Sequence, residues 1–228
     1  MRENPGTNGT GHRARLRCRL VEQGDDALAE HELLELLLAT ALPRVDTKKT
    51  AWALLHAFGS LGRVLNASPK DLTSVKGVGP AAVGALKIVK AVAGACLREP
   101  LRSVDALSSP EAVADYCRVA YGGERDEAVH LLLLDSGNRL KRAVRISQGT
   151  VDQAAVHPRR LVEETISAGA NGAILVHNHP SGRCEPSGAD DRITEEAAAA
   201  LKAIDVKLLD HVIIGEGRIY SYRVSGRL

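Results

Sequence analysis

Two histidines two residues apart, His177 and His179, are the residues of this chain whose types and spacing point most directly to chemistry. They close the apolar run Ala173-Ile174-Leu175-Val176, whose length and β-branched content predict a buried strand. On a strand, positions i and i+2 leave the same face, so both imidazoles point one way. Pro180 withholds a backbone donor and ends the ladder, and Ser181, Gly182, Pro186 and Gly188 are turn formers that carry the chain over the end of the sheet. Ser187 then suits the N-cap of a helix beginning at Ala189-Asp190-Asp191, which places Asp190 in the first turn. A carboxylate there can face back to the histidines. Two neutral imidazoles and one carboxylate are the three-ligand set that leaves a zinc position open to water, the catalytic rather than the closed structural arrangement. The same Ser187-x-x-Asp190 spacing also fits a capping box, in which both side chains satisfy only backbone N–H groups. Asp191 competes with Asp190 as the third ligand.

The elements that must hold these groups have to fit in 228 residues, enough for one large core or two small ones. Hydrophobic residues make up 44% and aromatics 3%, so cores are built from Leu, Val, Ile and Ala. No row of aromatics exists on which single-stranded bases would stack. Cys18, Cys96, Cys117 and Cys184 form no C-x-x-C pair, a usage that fits reduced thiols in the cytoplasm better than a disulfide framework or a zinc ribbon. Cys184 lies inside the histidine loop. The N-terminal residues are polar, without an apolar signal region, and no later run is expected to span a membrane. Residues 1–104 carry 15 Lys+Arg against 10 Asp+Glu, and the remainder 15 against 18. That mild basicity is compatible with an anionic partner but far from a dedicated nucleic-acid module.

In chain order, residues 1–12 are expected to be disordered and residues 13–100 to form a helical domain. Arg13, Arg15, Arg17 and Arg19 precede an amphipathic helix over Asp26–Thr40, and Asp46 can cap a second helix running to Phe58. Ser68-Pro69 starts another. The stretch Leu72 to Lys87 is similar to a helix-hairpin-helix motif. Its Gly77-Val78-Gly79 turn and the helix start after it could receive a DNA phosphate without reading sequence, with Lys76 and Lys87 adding charge. Such turns also serve simply to pack two helices closely. Residues 101–108 read as a linker, and 109–228 as a second domain of order β-β-α-β-α-β-β after a leading helix. The fold class is therefore α/β (α+β), a mixed sheet flanked by helices.

With every spacing in agreement, His177-x-His179-Pro180 followed by Ser187-x-x-Asp190 resembles the JAMM (MPN+) metallopeptidase signature. The longer string His177-Asn178-His179-Pro180-Ser181-Gly182 resembles the RadC branch of that family, and the likeness extends from about Arg13 to the C-terminus. The resemblance implies a three-layer sheet domain related to cytidine deaminase folds and one Zn2+ per chain, held by His177, His179 and Asp190. It also implies a non-ligand glutamate at the start of the first sheet strand that moves protons. Glu127 opens that strand, with Glu124 and Asp126 as neighbouring candidates. Ser187 would help stabilise an oxyanion. Asn178 departs from the Ser or Thr usual in deubiquitinating members, so ubiquitin-chain cleavage is not implied.

Three functions compete on this reading: a zinc hydrolase acting on a peptide or isopeptide bond, a DNA-associated repair protein using the hairpin, and a catalytically silent scaffold. An HNH nuclease is excluded because its residues disperse over a ββα unit. A cytidine-type deaminase is excluded because no Pro-Cys-x-x-Cys follows. His130, His157 and His211 are not assigned to the metal, and the sequence leaves open whether His211 touches the residues around it.

Overall fold

The computed structural model describes residues 8–124, 126–149, 156–215 and 218–228. The chain separates into two compact units, Met1–Ala91 and Val92–Leu228.

The first unit is helical: α1 (Asn8–Gln23), a 3-10 turn at Asp25–Ala27, α2 (Glu30–Ala41), α3 (Lys48–Phe58), α4 (Leu61–Asn66), α5 (Pro69–Thr73) and the start of α6 (Pro80–Leu101). Of the expected disordered N-terminus, residues 1–7 lie outside the described residues, whereas α1 already begins at Asn8. Its arginines divide by role. Arg13 donates to the Pro43 and Val45 carbonyls and Arg19 pairs with Glu32, while Arg15 and Arg17 are exposed. The helix expected from Asp26 starts instead at Glu30, because Asp25–Ala27 form the 3-10 turn and the Glu32 carboxylate accepts the Ala29 N–H at 3.0 Å. The N-cap of α3 is Thr47 rather than Asp46, which lies one residue earlier and accepts the Lys48 N–H at 3.1 Å, and Ser68 accepts the Asp71 N–H ahead of Pro69. Leu34, Leu38, Leu54, Leu72, Ala82 and Leu86 fill the core of this unit.

The stretch 101–108 is not a free linker. Leu101 closes α6, and Leu101 and Ala106 are buried in the core of the second unit, where the Ala106 N–H also bonds the Asn138 carbonyl. Their apolar side chains need that cover, so the junction between units falls within α6, after Ala91. That helix, 22 residues with a window of mean hydropathy 1.5, is long and apolar enough to cross a bilayer by length and composition, contrary to the expectation from sequence. Ala82 and Leu86 in its first turns are buried in the helical core, whereas 22% of that window is buried in all.

The second unit continues with α7 (Pro110–Tyr121), β1 (Glu127–Leu134), β2 (Leu140–Gly149), α8 (Pro158–Ala168), β3 (Gly172–Asn178), α9 (Gly188–Lys202), β4 (Lys207–Ile214) and β5 (Ile219–Ser221). The strands form one mixed sheet in the order β2-β1-β3-β4-β5, with β3 and β4 parallel and the other pairs antiparallel. This is the expected α/β class and element order. The β1–β2 hairpin turns on Asp135, whose Oδ1 accepts the N–H groups of Gly137 and Arg139, and on Asn138 at φ 56°. β2, expected to end at Ser147 before Gln148-Gly149-Thr150, runs on to Gly149, while Thr150 and the turn expected at Glu216-Gly217 lie outside the described residues.

Alternation sorts the strand residues between two cores. Leu132, Leu134, Ile174, Val176, Val212 and Ile214 face α7, whereas Val129, Leu131, Leu133, Ala173 and Leu175 face α8 and α9. Glu127 and His177 continue the second series, so both emerge at the same end of the α8–α9 face, where β1 starts and β3 finishes.

In the helical hairpin the two glycines differ. Gly77 has φ 90° and a Cβ there would sit 2.9 Å from Thr50 Oγ1, whereas a Cβ on Gly79 meets nothing within 4 Å. Gly77→Ala should therefore destabilise the protein by about 1–3 kcal/mol through left-handed strain and the clash, and Gly79→Ala should be close to neutral. Urea unfolding curves of the two variants test this.

Candidate metal centre

β3 carries both histidines to its C-terminal end, where His177 is 3% exposed at its side chain. The His179 N–H donates to the Ile214 carbonyl at 2.8 Å, tying the loop to β4 as it leaves the sheet. The His179 ring is fixed in turn: Nδ1 lies 2.8 Å from the Arg183 carbonyl, which can only accept. Nδ1 therefore donates, and Nε2 is the nitrogen turned towards the carboxylates, the atom through which this histidine would ligate a metal.

His177 lies between two carboxylates. Its Nε2 is 3.0 Å from Glu127 Oε1 and its Nδ1 is 2.8 Å from Asp190 Oδ1, while His179 Nε2 is 3.8 Å from Glu127 and 3.5 Å from Asp190 Oδ2. Although these contacts are short, neither nitrogen of His177 has a hydrogen bond of acceptable geometry. Close oxygens and nitrogens that do not align donor to acceptor are what ligand atoms converging on one centre produce. One ligand atom each from Glu127, His177 and His179 lies within 4.8 Å of the others. The donor set of two imidazoles and hard carboxylate oxygens suits zinc.

Asp190 completes the capping box that its spacing allows. Its Oδ2 accepts the Ser187 N–H at 2.7 Å and the Ser187 hydroxyl at 2.6 Å, and Ser187 Oγ accepts the Asp190 N–H, a complete capping box. Its Oδ1 still faces His177. Burial alone would raise the Asp190 pKa, but the contacts with His177, His179 and Ser187 override it and hold the carboxyl well below its usual range. Burial would lower His177 as well. The two carboxylates reverse that and raise it to about 9. The Ser187 hydroxyl donates to Asp190, so in this geometry it orients a carboxylate rather than facing a substrate.

The neighbouring acids separate cleanly. Glu124 pairs with Arg145 and His130, and Asp126 offers its carbonyl to Asn178. Asp191 accepts the Tyr222 hydroxyl at 2.8 Å and is paired with Arg227 at 2.8 Å. Glu127 and Asp190 are thus the carboxylates the structure brings to the histidines.

A layer beneath the site was only partly legible in sequence. His211 is fully buried on β4, and burial together with the charge of His177 lowers its pKa to about 3, so its ring is neutral. Thr194 donates its hydroxyl to the Asp190 carbonyl at 2.6 Å, so Thr194 Oγ1 accepts from His211 Nδ1 at 2.7 Å. Tyr222 stacks on His211 with ring centroids 4.8 Å apart. Gly215 had no signal beyond its place at the end of an apolar strand. A Cβ on it would meet the Gly182 carbonyl oxygen at 2.4 Å and the Cys184 nitrogen at 2.9 Å, because the histidine loop crosses directly over β4 there.

The hairpin residues sit in the other unit. Lys76 is exposed, but Val78 is buried in the helical core. Lys87 donates its ammonium to the carbonyls of Leu65 and Ala67 at the end of α4, and burial lowers its pKa.

A helix-flanked mixed sheet thus brings two histidines and two carboxylates together at the end of its third strand, an arrangement that could hold a metal ion in a JAB-like α/β domain. The family model described as "RadC-like JAB domain" matches residues 107–227, and that described as "UPF0758 N-terminal" matches residues 10–83. A UPF0758 protein of Rhodobacter capsulatus is 44% identical over 213 residues, covering 93% of this chain and 100% of the relative. UPF0758 proteins of Paraburkholderia xenovorans and Paraburkholderia phytofirmans are 40% and 39% identical over 92% of this chain and 83% and 81% of theirs. The chain belongs to the RadC (UPF0758) family.

Gly215→Ala should displace the loop that carries His179 and, if this site takes up added zinc, weaken that binding about 10–100-fold, the range seen when groups supporting a ligand are disturbed. Competition against a chromophoric chelator measures it. Unchanged affinity would mean that the loop does not rely on this crossing.

Proposed function

We propose that this protein is a zinc-dependent hydrolase of JAMM type that cleaves a peptide or isopeptide bond with water. His177, His179 and Asp190 hold the metal and Glu127 moves the proton. The observation that carries the reading is the His177 imidazole, buried between two carboxylates with neither nitrogen in a proper hydrogen bond, beside a His179 whose Nε2 is turned towards the same carboxylates.

Exposure and bonding divide the carboxylates. Asp190 is 2% exposed and one of its oxygens is occupied by Ser187, which orients the other as a ligand. Glu127 is 19% exposed, so water and a substrate can reach it. His177, His179 and Asp190 would hold a zinc ion, which when bound would supply an acidified water and a Lewis acid for a carbonyl. Glu127 Oε1 accepts the proton released from the attacking water and returns it to the leaving nitrogen. Ser187, fixed at the start of α9, keeps Asp190 ionised and aimed. It can serve a developing oxyanion only by turning its hydroxyl from Asp190.

Elemental analysis of purified protein with saturating zinc tests the assignment. The wild type and Glu127→Gln should each hold about one zinc per chain, and His177→Ala and Asp190→Ala should hold almost none. Glu127→Gln should also lose cleavage of a fluorogenic peptide library by at least about 100-fold. A wild type that takes up no zinc, freshly prepared or reconstituted, would overturn the reading.

A further inference from the structure

Asn178, between the two histidines, has no part in the ligand set, yet it is 2% exposed and every polar group of its side chain is engaged. Its Oδ1 accepts the Ala128 N–H at 2.9 Å, and its Nδ2 donates to the Asp126 carbonyl at 3.0 Å and the Glu124 carbonyl at 3.3 Å. This pattern fixes the amide orientation, because a flipped amide would set its NH2 against an N–H. The three bonded groups lie before and after Glu127. We infer that Asn178 is a positioning residue that sets the Glu127 carboxylate beside the histidines, an inference that rests on the hydrolase reading above.

Glu127 needs such a device because it is the first residue of β1, and strand ends open more readily than interiors. The ladder of β1 with β3, from Ala128↔Asn178 to Leu134↔Gly172, already fixes the register of the strand. The amide adds bonds to Glu124 and Asp126, which lie outside that ladder. The far end of the segment is held too, since the Glu124 carboxylate pairs with His130 at 3.3 Å and with Arg145. A hydroxyl side chain offers one donor and could not reproduce one accepted and two donated bonds spread over residues 124–128. Asn178 thus links the histidine strand to the glutamate strand, and the distance of 3.0 Å between Glu127 Oε1 and His177 Nε2 depends on that link.

A double-mutant cycle on cleavage of the fluorogenic peptide library, at one pH and saturating zinc, separates this role from general support of the fold. Asn178→Ala should lower cleavage about 10–100-fold when residue 127 is Glu. In the Glu127→Gln background the same change should matter by no more than about twofold. Equal losses in both backgrounds would overturn the inference and leave the hydrolase reading standing. Asn178→Asp, nearly isosteric, keeps an acceptor for Ala128 but loses both donated bonds, and should reproduce the Ala loss; wild-type cleavage in that variant would overturn the inference. A crystal structure of zinc-free Asn178→Asp decides the point without metal. Glu127 should have left His177 while the ladder from Val129 onward is kept, and a Glu127 still in place would overturn the inference. Wild-type protein that binds no zinc would sink the hydrolase reading alone, and the crystal structure would still decide what Asn178 does.

Discussion

The structure of the second unit turns on one buried imidazole. His177 sits with both ring nitrogens out of water, and such a group is tolerated only when charged or polar partners face it. Two carboxylates supply that compensation from different directions, Glu127 from the start of β1 and Asp190 from the first turn of α9. The start of β1, the end of β3 and the start of α9 must therefore come within a few ångströms of one another. The order β2-β1-β3-β4-β5 achieves this by placing β1 and β4 on either side of β3, with α9 returning across the same face. Once the centre of the sheet is committed to this meeting, its flanks follow. Gly215 must lack a side chain so that the loop can cross β4, and His211 must stay neutral beneath it.

The parts of the site that were legible in sequence are local in the chain. His177 and His179 share a strand face because alternation has period two, and Ser187 and Asp190 meet because three residues make most of a helical turn. The strand opening with Glu127 was readable for the same reason, although its choice over Glu124 and Asp126 was not. That choice depends on Arg145 and His130, which face Glu124 from β2 and β1. The amide of Asn178 bonding residues some fifty positions earlier, and Gly215 accommodating residues 182–184, are contacts between distant segments that no periodicity encodes. The stretch 101–108 misled for a related reason. Ser, Asp and Pro nearby suggest a linker, but Leu101 and Ala106 are core residues whose burial depends on α7 and the sheet.

Capping and metal binding, read from the same four residues, are compatible because a carboxylate has two oxygens with several lone pairs. Asp190 Oδ2 closes the capping box with Ser187, and Oδ1 remains directed at His177. The cap also does something a free carboxylate could not. By donating two hydrogen bonds to one oxygen, Ser187 fixes the side-chain torsion and holds the charge on Asp190 despite its burial. The helix start, where backbone N–H groups favour negative charge, is therefore a suitable place to build a buried anionic ligand.

The same physics explains why the second carboxylate had to come from elsewhere. A proton-transfer group must change charge during turnover, and a carboxylate locked by a cap and by burial resists protonation too strongly for that task. Glu127 lies at a strand end with partial access to water, facing the histidines without a cap of its own. Its freedom has to be limited in some other way, and the bonds from Asn178 act on the backbone around it rather than on the carboxylate. The backbone is held while the oxygens remain available. On the proposed reading, Asp190 is a ligand held through its side chain and Glu127 a base held through its main chain, a division of labour that suits two acidic residues around one pair of histidines.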